Sequence, residues 1–182
     1  HRPEDYKPDA EMRTHLLTAL LQIDFGKLSE TDKIAYARTL QIVLHRFGDP
    51  DQKTIGQLIA KLDPSFPAKS FEANWVLCET LSHLQAPNTA KKGMALIAAA
   101  GSQEPQMQFA RSLRHLKAGW TPELREQQLN WFLKAANYRG GASFSKFIEF
   151  IRTDSLATFT EAEKKRHAAL IAKKPEVKSV IE

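Results

Sequence analysis

Apolar residues recur at every third or fourth position along almost the whole chain, and no segment sustains the alternation of a strand. The pattern predicts a first helix from about Pro8 to Phe25, with Met12, Leu16, Ala19, Leu20 and Ile23 on one face and Gly26 as its stop. Ser29, with Asp32 three residues later, comes near to a capping box for a second helix. That helix carries Ile34, Ala37, Leu40, Val43, Leu44 and Phe47, and Gly48 closes it. Asp49-Pro50 predicts a third start, with Ile55, Leu58, Ile59 and Leu62 on the apolar side. Asp63-Pro64-Ser65-Phe66-Pro67 must be a loop, because two prolines this close cannot sit in a helix interior. A fourth helix follows from about Ser70 to Leu84, placing Phe71, Leu77, Cys78, Leu81 and Leu84 for burial.

Pro87 separates off a fifth helix on Ala90, Met94, Ile97 and Ala98, and Gly101-Ser102 reads as a stop followed by a new cap. The sixth helix runs to about Lys117 on Phe109, Ala110, Leu113 and Leu116. Its junction with the seventh is the best-marked break in the chain. Gly119 can take the left-handed conformation that ends a helix, and Trp120 can fold into the crevice beyond it with Leu116 and Leu124 as neighbours. Thr121 then offers a hydroxyl cap, Pro122 suits the first helical position, and Glu123 sits by the positive helix end. The seventh helix uses Leu124, Trp131, Phe132 and Ala135. Gly140-Gly141 stops it, and Ser143 is placed to cap an eighth on Phe144, Phe147, Ile148 and Ile151. Thr160 with Glu163 is a capping box for a ninth, carrying Ala162, Ala169 and Leu170 and ended by Pro175. Residues 1–8 read as an extended lead-in and 175–182 as a frayed tail.

These elements predict an all-α fold of about nine helices, stacked as antiparallel hairpins in a HEAT-like α-solenoid that forms one domain over residues 1–182. The repeats have no fixed period, so stacking is inferred from the number of helices, and a single irregular bundle is the alternative. With 182 residues, 42% hydrophobic and 26% charged, the chain can bury a core and is too apolar for disorder. No run approaches the ~20 apolar residues of a membrane-spanning helix. The opening His1-Arg2-Pro3-Glu4 has no apolar signal core, so any export signal is expected to have been removed or to lie outside this stretch. A single cysteine, Cys78, leaves no internal disulfide to form.

Candidate chemistry changes the picture little. His1, His15, His45, His83, His115 and His167 offer no pair three or four apart, and neither H-E-x-x-H nor a paired C-x-x-C occurs. Covalent haem would need C-x-x-C-H, so no metal or other cofactor is expected. Cys78 lies on an apolar helix face, which predicts a buried small hydrophobe rather than a nucleophile. Glu123 and Glu126 share a helix face, an arrangement that ordinarily serves the helix dipole, and no catalytic residue is assigned. Arg139-Gly140-Gly141 could seat an anion on exposed N–H groups, although a tight interhelical turn needs the same small residues. A formal charge of +5, from 26 basic and 21 acidic residues, admits nucleic acid as a partner, but solubility accounts for it equally. Arg111, Arg114 and Lys117 recur along one side of the sixth helix and form a candidate interaction surface. Lys164, Lys165 and Arg166, with Lys173 and Lys174, crowd the last helix.

The stretch L-R-x-L-K-x-G-W-T-P-E-L-R from Leu113 to Arg125 continues through Trp131 into Y-R-G-G-A-S-F at Tyr138 to Phe144, then Ile151-Arg152. Weaker matches precede it in order: Tyr6-Lys7-Pro8 to Met12-Arg13, Asp63 to Pro67, and Leu84-Gln85-Ala86-Pro87. On these residues the chain resembles a family of large multidomain proteins of planctomycetes and related bacteria, often labelled membrane-bound dehydrogenases or haem-binding proteins with HEAT-like repeats. In that family the segment looks like a helical spacer between a propeller-type domain with further repeats and a c-type cytochrome module. The resemblance implies an exported, periplasmic protein. It does not carry haem or dehydrogenase chemistry to these residues, because the flanking modules that hold them are not in this sequence. Trp120, Thr121, Pro122, Arg125, Trp131, Gly140, Gly141 and Phe144 are its motif residues, for which a structural role is expected. Two departures stand out. Gln128 replaces an aromatic of the pattern, and Phe71-Glu72-Ala73-Asn74-Trp75 replaces an N-R-E-L-like helix start, putting an interhelical polar contact there in doubt.

The expected function is that of a non-catalytic helical module, a spacer or protein-interaction scaffold whose partners are other domains of the same polypeptide or of a complex. The alternative is a nucleic-acid-binding helical solenoid that uses the basic helices. An enzyme assembled across repeats has no motif in its favour.

Overall fold

The computed structural model describes residues 7–141 and 143–176, so most of the expected lead-in and tail lies outside the described residues. Among the described residues there are ten α-helices, two short 3-10 turns and no strand. The helices are α1 (Ala10–Gln22), α2 (Glu30–Phe47), α3 (Gln52–Leu62), α4 (Phe71–His83), α5 (Thr89–Ala99), α6 (Gln103–Leu113), α7 (Pro122–Ala135), α8 (Phe144–Ala157), α9 (Glu161–Arg166) and α10 (Ala168–Ala172). The fold is all-α. Its internal contacts gather into two compact units, one up to Leu84 and one from Gln85.

In the first unit α1 and α2 form an antiparallel hairpin. Arg13, early in α1, donates to the carbonyl of Phe47 at the end of α2, while Tyr36, early in α2, donates its hydroxyl to Leu20 near the end of α1. α4 lies beside α2 and runs in the same direction. Glu30 accepts from the Ser70 N–H at one end, Gln41 donates to Thr80 midway, and Asp49 meets His83 at the other end. Leu40 of α2, Leu58 and Leu62 of α3, and Val76, Leu77 and Leu81 of α4 are fully buried and form the core of this unit. Complete removal of such side chains from water contributes about 1.5–3 kcal/mol each.

Several predicted details change. α1 buries Leu17 and Leu20, whereas Met12 and Ala19 are exposed. With leucines at 16, 17, 20 and 21, periodicity alone does not choose its buried face. The helix also stops at Gln22 rather than at Gly26, Ile23 is extended and exposed, and Phe25–Lys27 makes a separate 3-10 turn. The cap of α3 is Asp51, whose carboxylate takes the Thr54 N–H at 3.0 Å, and Asp49 is turned to His83 instead. Phe71, expected inside, is an exposed first residue of α4 that stacks on Trp75. Asn74 closes the loop before α4 by bonding both the N–H and the carbonyl of Ala68.

Cys78 is fully buried, and that burial pushes its thiol up to about 12. The expected outcome is a native protein inert to a thiol-specific disulfide reagent at pH 8 that reacts stoichiometrically once unfolded. Rapid labelling without denaturant would contradict the packing of α4.

In the second unit α5 and α6 pair antiparallel, with Gly93 of α5 against the Leu113 side chain at the far end of α6. α8 runs alongside α6 in the same sense: Gln103 holds the Arg139 backbone ahead of α8, and Arg114 reaches Asp154 near its end. α6 ends at Leu113, not at Lys117. Arg114 covers the Arg111 carbonyl, while Gln85 takes the Lys117 N–H and donates to the His115 carbonyl, so these backbone groups are satisfied outside a helix. Ser102 and Ser143 stand at the cap positions of α6 and α8 without forming the side-chain cap bond. Of the residues expected inside, Ala98, Phe147, Ala162 and Ala169 are exposed. The expected ninth helix is broken at the buried His167 into α9 and α10.

Candidate functional site

The α6–α7 turn is built around Gly119. Its φ of 75° lies in the left-handed region, and a Cβ there would stand 1.9 Å from the carbonyl oxygen of Pro87. That close approach lets the turn lie against the start of α5. Thr121 caps α7 by accepting the Leu124 N–H, and Pro122 occupies the first helical position. The Trp120 indole N–H donates to the Leu116 carbonyl at 2.9 Å. The ring is half-buried rather than sunk in the crevice, and its cover is a guanidinium.

That guanidinium belongs to Arg125, which has no solvent exposure at all. It is sandwiched between the Trp120 ring, 4.3 Å away, and the Phe159 ring, 4.0 Å away. Nε donates to Glu163 at 2.9 Å, Nη1 to Gln128 at 3.1 Å and Nη2 to the Thr158 carbonyl at 3.3 Å. Gln128 therefore supplies a buried polar contact. The second oxygen of Glu163 accepts from the Thr160 N–H and hydroxyl, completing the cap of α9. One carboxylate thus joins the start of α9 to α7 through a buried charge, each of whose three nitrogens has an acceptor. A buried cation needs such matching to be tolerated.

Burial raises the Glu163 carboxyl, but the bonds from Arg125 and Thr160 outweigh it and hold the group below the usual glutamate range. A depressed native value contributes stability above the unfolded-state value and loses it as pH falls through the native one. The melting temperature of the wild type is therefore expected to fall more steeply below about pH 4.5 than that of Glu163→Gln. Parallel acid limbs for the two proteins would remove the pair from the linkage.

The other motif residues sit in different surroundings. Trp131 is buried, and its indole N–H donates to Gln106 at 3.0 Å; the Tyr138 hydroxyl shares the same acceptor. Gly140 and Gly141 are exposed, and a Cβ on Gly140 would enter the ring of the half-buried Phe144. The Arg139 N–H, a donor in the suggested anion seat, is taken by Gln103.

The Arg111, Arg114 and Lys117 stripe is not one helical face. Arg114 sits past the end of α6 and is committed to Asp154 and the Arg111 carbonyl, and Lys117 lies beyond the helix on exposed backbone. Among the described residues, no group of three or more His, Cys, Asp or Glu side chains is placed to hold a metal ion. No described helix is long and apolar enough to cross a membrane.

A trough of about 360 Å³ runs between α7, α8 and the segment after α10. Phe132 and Ile148 form its floor, and Arg152 fixes its far wall by donating to the Ile171 carbonyl at 2.6 Å. It continues into a second depression of about 300 Å³ past Lys134, Asn137 and Glu176, with Lys173 and Lys174 lining both. Sequence reasoning missed this trough, the Arg125–Glu163 pair and the Gln106 acceptor. The Thr160–Glu163 cap was visible, but nothing local marks the second oxygen of Glu163 as the partner of a residue 38 positions away.

Comparison with family models, with curated proteins and with solved structures finds no match to this chain.

Proposed function

We propose that this chain is a non-catalytic helical module of HEAT-like type that spaces or docks other protein domains. The observation that carries the reading is the packing order within each unit. A helix pairs antiparallel with its neighbour, α1 with α2 and α5 with α6, and parallel with the helix two further on, α2 with α4 and α6 with α8. That order supports a stacking of helical hairpins. The most elaborate polar cluster, around Arg125, is closed on itself and joins helix to turn. The L-R-x-L-K-x-G-W-T-P-E-L-R motif adds the family reading, in which such a segment stands between a propeller-type domain with further repeats and a c-type cytochrome module of an exported protein.

Calorimetric titration of the purified chain with the polypeptide encoded immediately beside it in its reading frame tests this, and saturable binding is the expected result. The nucleic-acid reading makes a different demand. Arg114 is committed to Asp154 and Lys164 to Glu161, and the other clustered cations are divided between the α6–α7 stretch and the stretch from α9 onward, rather than forming one stripe. Duplex DNA is expected to bind no tighter than micromolar at physiological salt. Sub-micromolar affinity with a steep salt dependence would replace the scaffold reading with the nucleic-acid one.

A further inference from the structure

The trough beside α7 and α8 combines an apolar floor with an excess of positive charge. Phe132 and Ile148 lie beneath it, Leu133, Ala136 and Ile171 flank them, and Lys134, Arg152, Lys173 and Lys174 stand around the rim against the carboxylates of Glu149 and Glu176. Arg152 is engaged with the backbone of α10, but the described ion pairs involve none of the three lysines. Lys134, Lys173 and Lys174 are all exposed. Their charge stands at the edge of an apolar channel, engaged by no described ion pair, and with Arg152 the rim cations outnumber the carboxylates of Glu149 and Glu176.

We infer that this trough docks an acidic segment of a protein partner, with a bulky apolar side chain over Phe132 and Ile148 and flanking carboxylates toward Lys134, Lys173 and Lys174. The inference rests on the interaction-module reading and names the chemistry of its partner. An apolar anchor seated in a pocket supplies most of the affinity of such a contact, and the rim charges select the partner and speed its arrival. The trough lies open along two joined depressions, which suits an extended chain better than the enclosed pocket that buries most of a small ligand.

The test is a methyl NMR titration of the whole chain with a blocked peptide carrying a central leucine-phenylalanine pair and two glutamates on either side. Saturable shifts of the Ile148 and Ile171 methyls are expected, with affinity about tenfold weaker for the Lys173→Glu, Lys174→Glu double variant. Both substituted residues are exposed and lie beyond α10, and unchanged circular dichroism and melting of the variant separate lost docking from lost folding. Unmoved methyls at millimolar peptide would overturn the inference. So would equal affinity for a peptide with lysines in place of the glutamates. Decanoate moving the same methyls at lower concentration than the peptide would assign the trough to a small amphipathic anion and overturn it too. Failure here leaves the titration with the flanking polypeptide unaffected, because that experiment does not depend on an acidic ligand.

Discussion

Replacement of Arg125 by alanine is expected to destabilise the protein by about 3–5 kcal/mol, the range for removing one partner from a buried, hydrogen-bonded ion pair. The loss has three sources. The side chain fills the space between the Trp120 and Phe159 rings, satisfies Gln128 and the Thr158 carbonyl, and holds the carboxylate that caps α9. Arg125→Lys is expected to recover only part of it, because an ammonium cannot reproduce the planar fork or stack flat between two rings. Trp120→Ala alone is expected to cost about 2 kcal/mol, below the 3–5 of a fully buried aromatic, since the ring is half-exposed. The double variant should show a coupling of at least about 0.5 kcal/mol between the two residues. Denaturant melts of the four proteins measure these values. An Arg125→Ala variant within about 0.5 kcal/mol of wild type would mean that the cluster is not a structural pin.

Gly119→Ala is expected to cost about 2–5 kcal/mol, from the left-handed backbone imposed on a residue with a Cβ together with overpacking against Pro87. The Pro87 carbonyl is backbone, so no side-chain rotation relieves a 1.9 Å approach, and the turn must shift away from α5. Gly141→Ala is the control, since a Cβ there meets nothing within 4 Å. Comparable melting of Gly119→Ala and wild type would show that the turn can lift from α5 at little cost. Equal losses for both substitutions would point instead to general glycine effects in the loops.

The residues alone determined that this chain is helical and where most helices begin. Ser29, Thr121 and Thr160 cap the helices that their spacing predicted, Ser70 caps the helix expected to start there, and Gly48 closes α2 as expected. These features were legible because a cap is satisfied by an N–H three residues away, so the information and the interaction lie within one turn of chain. The turn at Gly119-Trp120-Thr121-Pro122 was legible for the same reason.

Only the tertiary structure decided which face of α1 is buried, because leucines on several sides leave that choice to the neighbour that packs there. It decided that α6 ends four residues early, since Gln85 supplies partners for backbone groups that would otherwise continue the helix. It turned an expected exposed stripe of Arg111, Arg114 and Lys117 into a set of separate contacts. It also gave Arg125 its role. Arg125 drew notice only as part of a motif carried by a resemblance, and its carboxylate and its second ring lie more than 30 residues further on, beyond α8. A cation becomes a buried pin only where folding brings a carboxylate and two rings to the same point, and no rule confined to neighbouring residues contains that coincidence.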